Sequence, residues 1–224
     1  MVIFLYKLKI IFIWLCFTSI VQGMSHTIDR SFKIIFWGAE LGQFKVNGKI
    51  GSGKYSVATN ASGKSLISLF SKYEISSGAF GKFDSNRELT PIQSISRWRI
   101  RGKLRQTKLN YIDGDLISFE KSPDLIKQYH LKNPIGLGNT IDPVSLTLWL
   151  LLEGSEDQIC EQRLKIMDGF RISELSFEKK DILLDSIICL GKIKRIKGFK
   201  SSDLDKEPLK FKVIYNLNVK NNFE

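Results

Sequence analysis

The chain has little of what reactions are built from. Its 224 residues hold two histidines, three cysteines and five prolines. No Cys-x-x-Cys and no His-Glu-x-x-His occurs, which excludes the usual zinc spacings. There is no Gly-x-Ser-x-Gly elbow and no phosphate-binding loop. His26 lies close to the N-terminus, so a catalytic triad would rest on His130, in a proline-flanked loop where an incidental role is the plainer reading. These gaps point to no catalytic residue, metal or cofactor.

Acidic residues are also short. Asp and Glu total 23 against 34 Lys and Arg, for a net charge of +11. Such a charge suits a membrane surface, anionic headgroups or another polyanion. The plainer reading is a solvated basic surface. No nucleic-acid-binding motif accompanies it, and no nucleic-acid partner is expected.

Long apolar runs are nearly absent. The clearest is Ile10 to Phe17, behind a basic start with Lys7 and Lys9. It is shorter than the roughly 20 residues a spanning helix needs. A positive start, a short apolar centre and a small residue at Gly23 describe a secretory signal peptide over 1–23. The alternatives are an uncleaved N-terminal anchor, or lipidation at Cys16. Residues 24–224 are then one exported domain, with the periplasm as the expected compartment.

What is present is alternation. Phe32, Ile34 and Phe36 share one face, as do Phe44, Val46 and Ile50. Tyr55, Val57 and Thr59 follow a Gly51-Ser52-Gly53 turn. In 91–101, Ile92, Ser94, Ser96, Trp98 and Ile100 alternate with a row of Arg97, Arg99 and Arg101. Period-two patterning predicts half-buried antiparallel strands. Asp113-Gly114 and Asp168-Gly169 each predict a two-residue hairpin turn. Further strands are expected at 187–197 and 209–219. Asp142-Pro143 opens an apolar run in which the acid can cap a helix and proline fits its first turn, predicting a buried helix near 143–153. The expected fold is mainly β: one curved or partly closed antiparallel sheet, an incomplete barrel, with that helix covering it.

Without the leader, Cys160 and Cys189 remain. An even count in an oxidising compartment predicts a disulfide, and only one pairing is open within the chain. Metal ligation and redox chemistry are the other readings, and the wide spacing argues against both.

The order of several pieces resembles a family of bacterial exported proteins catalogued as domain of unknown function 3108, in its alphaproteobacterial form. The pieces are FKIIFWGAELGQFKVNGKI, SLISLFSKYEISSGAFGKF, WRIRGKLRQTKLNYIDG, TIDPVSLTLWLL, LKIMDGFRISELSF and CLGKIKRIKGF. The resemblance covers roughly residues 30–215. It implies a β-rich envelope protein with no assigned reaction. Family members continue with one or two further strands, whereas this chain stops at Asn221-Asn222-Phe223-Glu224, so an open sheet edge is expected.

The leading expectation is a non-catalytic binding or transport protein for a lipid or anionic amphiphile. Phe36, Trp37, Phe44, Phe70, Tyr73 and Trp98 are the candidate apolar lining, with Arg97, Arg99 and Arg101 for a headgroup. The same aromatics could equally fill a core. One alternative is an assembly or scaffold protein that docks on an envelope partner, through an apolar patch or the edge near 209–219. Another is an enzyme acting on envelope polymer, for which Glu40, Asp113, Asp142 and Asp168 are the acids to inspect.

Overall fold

The computed structural model describes residues 25–36, 39–63, 73–84, 88–100, 102–123, 127, 129–152, 160, 163–183 and 186–216. The expected leader, Cys16 included, lies outside them.

The chain is mainly β. β1 (His26–Phe36), β2 (Ala39–Gly51), β3 (Lys54–Gly63), β4 (Tyr73–Phe83), β5 (Leu89–Ile100), β6 (Lys103–Ile112) and β7 (Asp115–Ser122) form an antiparallel meander in chain order. Then come β8 (Thr140–Ile141), helix α1 (Pro143–Leu151), β9 (Arg163–Met167), β10 (Ile172–Ile182), β11 (Ser186–Lys197), helix α2 (Ser201–Leu204) and β12 (Leu209–Asn216). These later strands make a second sheet, ordered β12-β11-β10-β9-β8. The strands therefore form two sheets where one was expected. β8 runs parallel to β9, pairing Thr140 with Lys165 and Ile141 with Ile166. Parallel neighbours cannot be joined by a tight hairpin, and α1 lies in the crossover between them.

Local chemistry explains most elements. In β3, Tyr55, Val57, Thr59 and Ala61 are buried and their neighbours exposed. Asp113 and Gly114 both take positive φ, 47° and 86°, as a two-residue hairpin turn requires. The Asp168-Gly169 turn departs from expectation. Met167 pairs with Ile172, so four residues form the loop. Asp168 Oδ1 accepts from the backbone N–H of Phe170 at 2.8 Å and of Arg171 at 2.7 Å, and this side-chain turn replaces the tighter one. In β5 a bulge sets Gly81 opposite Pro91 and Phe80 opposite Gln93. Ile92 is the extra residue and is 38% exposed, while Ser94 is buried.

Helix α1 begins as its sequence requires. Asp142 Oδ1 accepts from Val144 N at 2.9 Å and Ser145 N at 3.0 Å, with Pro143 in the first turn. The helix is apolar on nearly every side because it is covered on both. Val144 and Leu148 pack on Ile28, Val46, Val57 and Ala79 of the first sheet. Leu146 and Trp149 pack with Leu175, Phe177 and Phe211 of the second. Full burial of a residue such as Leu148 stabilises the fold by about 1.5–3 kcal/mol. A second seam joins the sheets where Leu109, Tyr111 and Leu116 meet Met167 and Ile172.

Cys160 and Cys189 are disulfide-bonded, with Cα atoms 5.4 Å apart. The bond ties the segment before β9 to β11, and Ile187, Phe177 and Val213 pack around it. It fits an oxidising compartment outside the cytoplasm. Among the described residues no helix is long and apolar enough to cross a membrane.

Candidate functional site

Strand register assembles an apolar row on the face of the first sheet that α1 covers in part. Phe32 pairs with Phe44, Phe44 with Ala61, Ala61 with Ile75, Ile75 with Trp98, and Trp98 with Arg105. α1 covers the part of this face around Val46, Val57 and Ala79. At the row, Phe32 is 40% exposed, and Phe44, Ile75 and Trp98 are half-buried. The rings of Phe32 and Phe44 lie 6.2 Å apart. Tyr73 shares the face and lies across two glycines. A Cβ on Gly63 would come within 2.9 Å of Tyr73 Cε1, and one on Gly42 would meet its hydroxyl at 2.5 Å. Only glycine leaves room for that ring.

Three of the six candidate aromatics, Phe44, Tyr73 and Trp98, are thus brought to one surface. The side chains of Phe36, Trp37, Phe70 and Arg101 fall outside what the structure describes. Arg97 and Arg99 point to the opposite face. Arg97 Nε donates to Gln106 Oε1 at 2.9 Å, and Arg99 pairs with Glu74 at 3.4 Å. Arg30, opposite Val46, and Lys121, opposite Thr107, also share this face, and the cations at its Trp98 end are Arg105 and Lys103, both exposed. Sequence reading passed over them. Their alternation in KLRQTK is visible, but only the pairing with β5 sets Arg105 beside Trp98.

A different cluster lies deep in the core. Ser145 Oγ donates to Asp142 Oδ2 at 2.6 Å. That uses its proton, so the Tyr55 hydroxyl donates to Ser145 Oγ, at 2.7 Å. Asp142 and Ser145 are both 0% exposed. Burial pushes the Asp142 carboxyl above the usual carboxylate range, opposed by hydrogen bonds from Ser145 and Val144. Burial, then the nearby Asp142 charge, pushes the Tyr55 phenol far up. Tyr111 is raised by the same two causes. Its buried hydroxyl makes no hydrogen bond of good geometry among the described residues, with Thr140 the polar group beside it. A serine donating to a carboxylate has the form of an activated nucleophile. Here the pair is sealed from solvent and caps a helix.

The other acids stand apart. Asp113 is exposed at its hairpin and pairs with Lys82 at 3.0 Å. Asp168 organises the β9–β10 turn. The side chain of Glu40 lies outside the described residues. His130 Nδ1 accepts from Lys127 N at 3.2 Å, and its ring packs on Tyr129 and Phe170, so it does not join the Asp142–Ser145 pair. Among the described residues no three His, Cys, Asp or Glu side chains group as a metal site. An open depression of about 310 Å³ on β1–β3 is lined by Thr27, Asp29, Asn47, Lys49 and Ser56 among others, away from the aromatic row. No family model, curated protein or solved structure matches this chain.

Proposed function

We propose that the protein is an exported, non-catalytic binding protein for an amphiphile with an anionic headgroup, held against the open end of the inner face of the first sheet. The observation that carries this reading is the row from Phe32 to Trp98, which leaves large apolar side chains partly in water and ends in Arg105. An acyl chain laid along the row would remove apolar surface from water at about 25 cal/mol per Å². Arg105 and Lys103 offer the headgroup positive charge. The net charge, +11 for the whole chain and +9 without Lys7 and Lys9 of the expected leader, favours the same class of ligand. The resemblance to envelope proteins, the leader expected over 1–23 and the disulfide support a periplasmic setting.

Native mass spectrometry of protein purified from an exporting host tests the reading. A lipid-sized adduct lost on organic extraction supports it, if Trp98→Ala reduces its retention. No adduct, together with no binding of a fluorescent fatty-acyl probe, overturns it. A second reading, docking on an envelope partner, is favoured by one observation. Leu190 and Ile214, 36% and 51% exposed, share the outer face of the second sheet beside its terminal strand β12.

A further inference from the structure

The loop after β7 and the β9–β10 turn meet in a patch that is basic and aromatic. Leu131 N donates to Phe170 O at 3.0 Å, which hooks the loop onto the turn. Four cations sit over aromatic rings there. Lys121 Nζ is 4.6 Å from the centroids of both Phe119 and Phe170. Lys127 and Lys200 approach Tyr129, at 5.7 and 5.9 Å. Arg171 lies 5.4 Å from Phe199. The rings hold these cations in place but do not neutralise them. Lys127, Arg171 and Lys200 make no ion pair among the described residues. Among the described residues Asp168 lies in the patch with its Oδ1 engaged by the turn's own backbone, and Asp203, near Lys200, is paired with Lys206 at 2.6 Å.

Two buried donors are left over. His130 is 8% exposed. Its Nδ1 accepts the Lys127 N–H, so in the neutral ring the proton sits on Nε2. Among the described residues Nε2 is buried without a partner, and so is Arg171 Nε. Buried N–H groups are rarely left unpaired. Unpaired donors surrounded by positive charge are what an oxyanion site looks like before the anion arrives.

We infer that this patch binds a phosphate-type oxyanion, with His130 Nε2 and Arg171 Nε as buried donors and Lys127 and Lys200 supplying charge at the rim. The site is separate from the aromatic row and needs no amphiphile to form. A free phosphate and a lipid phosphate present the same chemistry.

The chain has two histidines, so the His130 ring signals can be told from those of His26. Inorganic phosphate is titrated into the full-length protein at constant pH and ionic strength, with ring ¹⁵N–¹H spectra recorded. The expected result is a saturable shift of His130 alone. Arg171→Gln is expected to weaken binding at least tenfold. Should that variant fail to fold, Lys200→Gln at an exposed position is expected to weaken it about threefold, as loss of one rim charge. His130 signals that stay still, or that move equally with chloride, overturn the inference. Vesicles of phosphatidylglycerol and of phosphatidylcholine separate the sources. Binding to the former alone, displaced by inorganic phosphate, assigns the site to a lipid headgroup. Phosphate binding without vesicle binding assigns it to the free ion.

Discussion

Replacing Cys160 and Cys189 together by alanine removes a crosslink spanning 29 positions of sequence. Closing a loop of that size restricts the unfolded chain, and the entropic model puts the effect at about 3.6 kcal/mol at 25 °C. That is a large part of the roughly 5–15 kcal/mol by which a domain is stable. Cys189 is 0% exposed and packed with Ile187, Phe177 and Val213, so the substitution also loosens the core and adds to the loss. Urea unfolding followed by circular dichroism reads the effect. With a slope of about 2–3 kcal/mol per molar, the midpoint should fall by about 1.2–1.8 M. Reducing the native protein should lower the midpoint by a similar amount, and the double variant should no longer respond to reductant. A drop below about 0.3 M, well under the change calculated from that slope, would refute the reasoning. So would two titratable thiols in protein purified under oxidising conditions.

Other expectations follow from the buried polar core and the helix. Asp142→Ala strips two backbone N–H groups and the Ser145 hydroxyl of their acceptor, and should cost about 2–4 kcal/mol by chemical denaturation. Asp142→Asn tests the carboxyl's raised pKa. A raised folded pKa contributes stability that is full below the unfolded value near 4 and is lost as pH rises through the folded one. The asparagine variant keeps an acceptor oxygen, so its stability relative to the native protein should improve as pH rises from about 4 toward neutrality. A constant difference across that range would refute the assignment. Leu148→Ala should cost about 3–4 kcal/mol, because Leu148 is 0% exposed between Ile28 and Gly48. Trp98→Ala should reduce acyl-probe binding about tenfold with little loss of stability, since Trp98 is only half-buried.

Local chemistry carried the sequence a long way. Period two marked β3 and β12. Asp142-Pro143 marked the start of α1. Asp113-Gly114 marked its hairpin, because positive φ at both positions is a property of those two residues. The disulfide was legible by count, with the expected leader set aside. Alternation also placed Trp98 and Arg97 on opposite faces. Tertiary structure decided the rest. The cation beside Trp98 is Arg105, which depends on how β5 and β6 slide against each other. The bulge at Ile92 reverses a face within one strand, and no period announces it. The division into two sheets follows from pairing β8 with β9 across the α1 crossover. Tyr55 reaches Ser145 across 90 positions, and His130 meets Phe170 only when the loop after β7 folds onto a distant turn. A residue's own backbone preferences act over a turn or a strand, and the sequence spells those out. Register and burial come from contacts between segments far apart in the chain, and their energies exist only once the sheets have closed on α1.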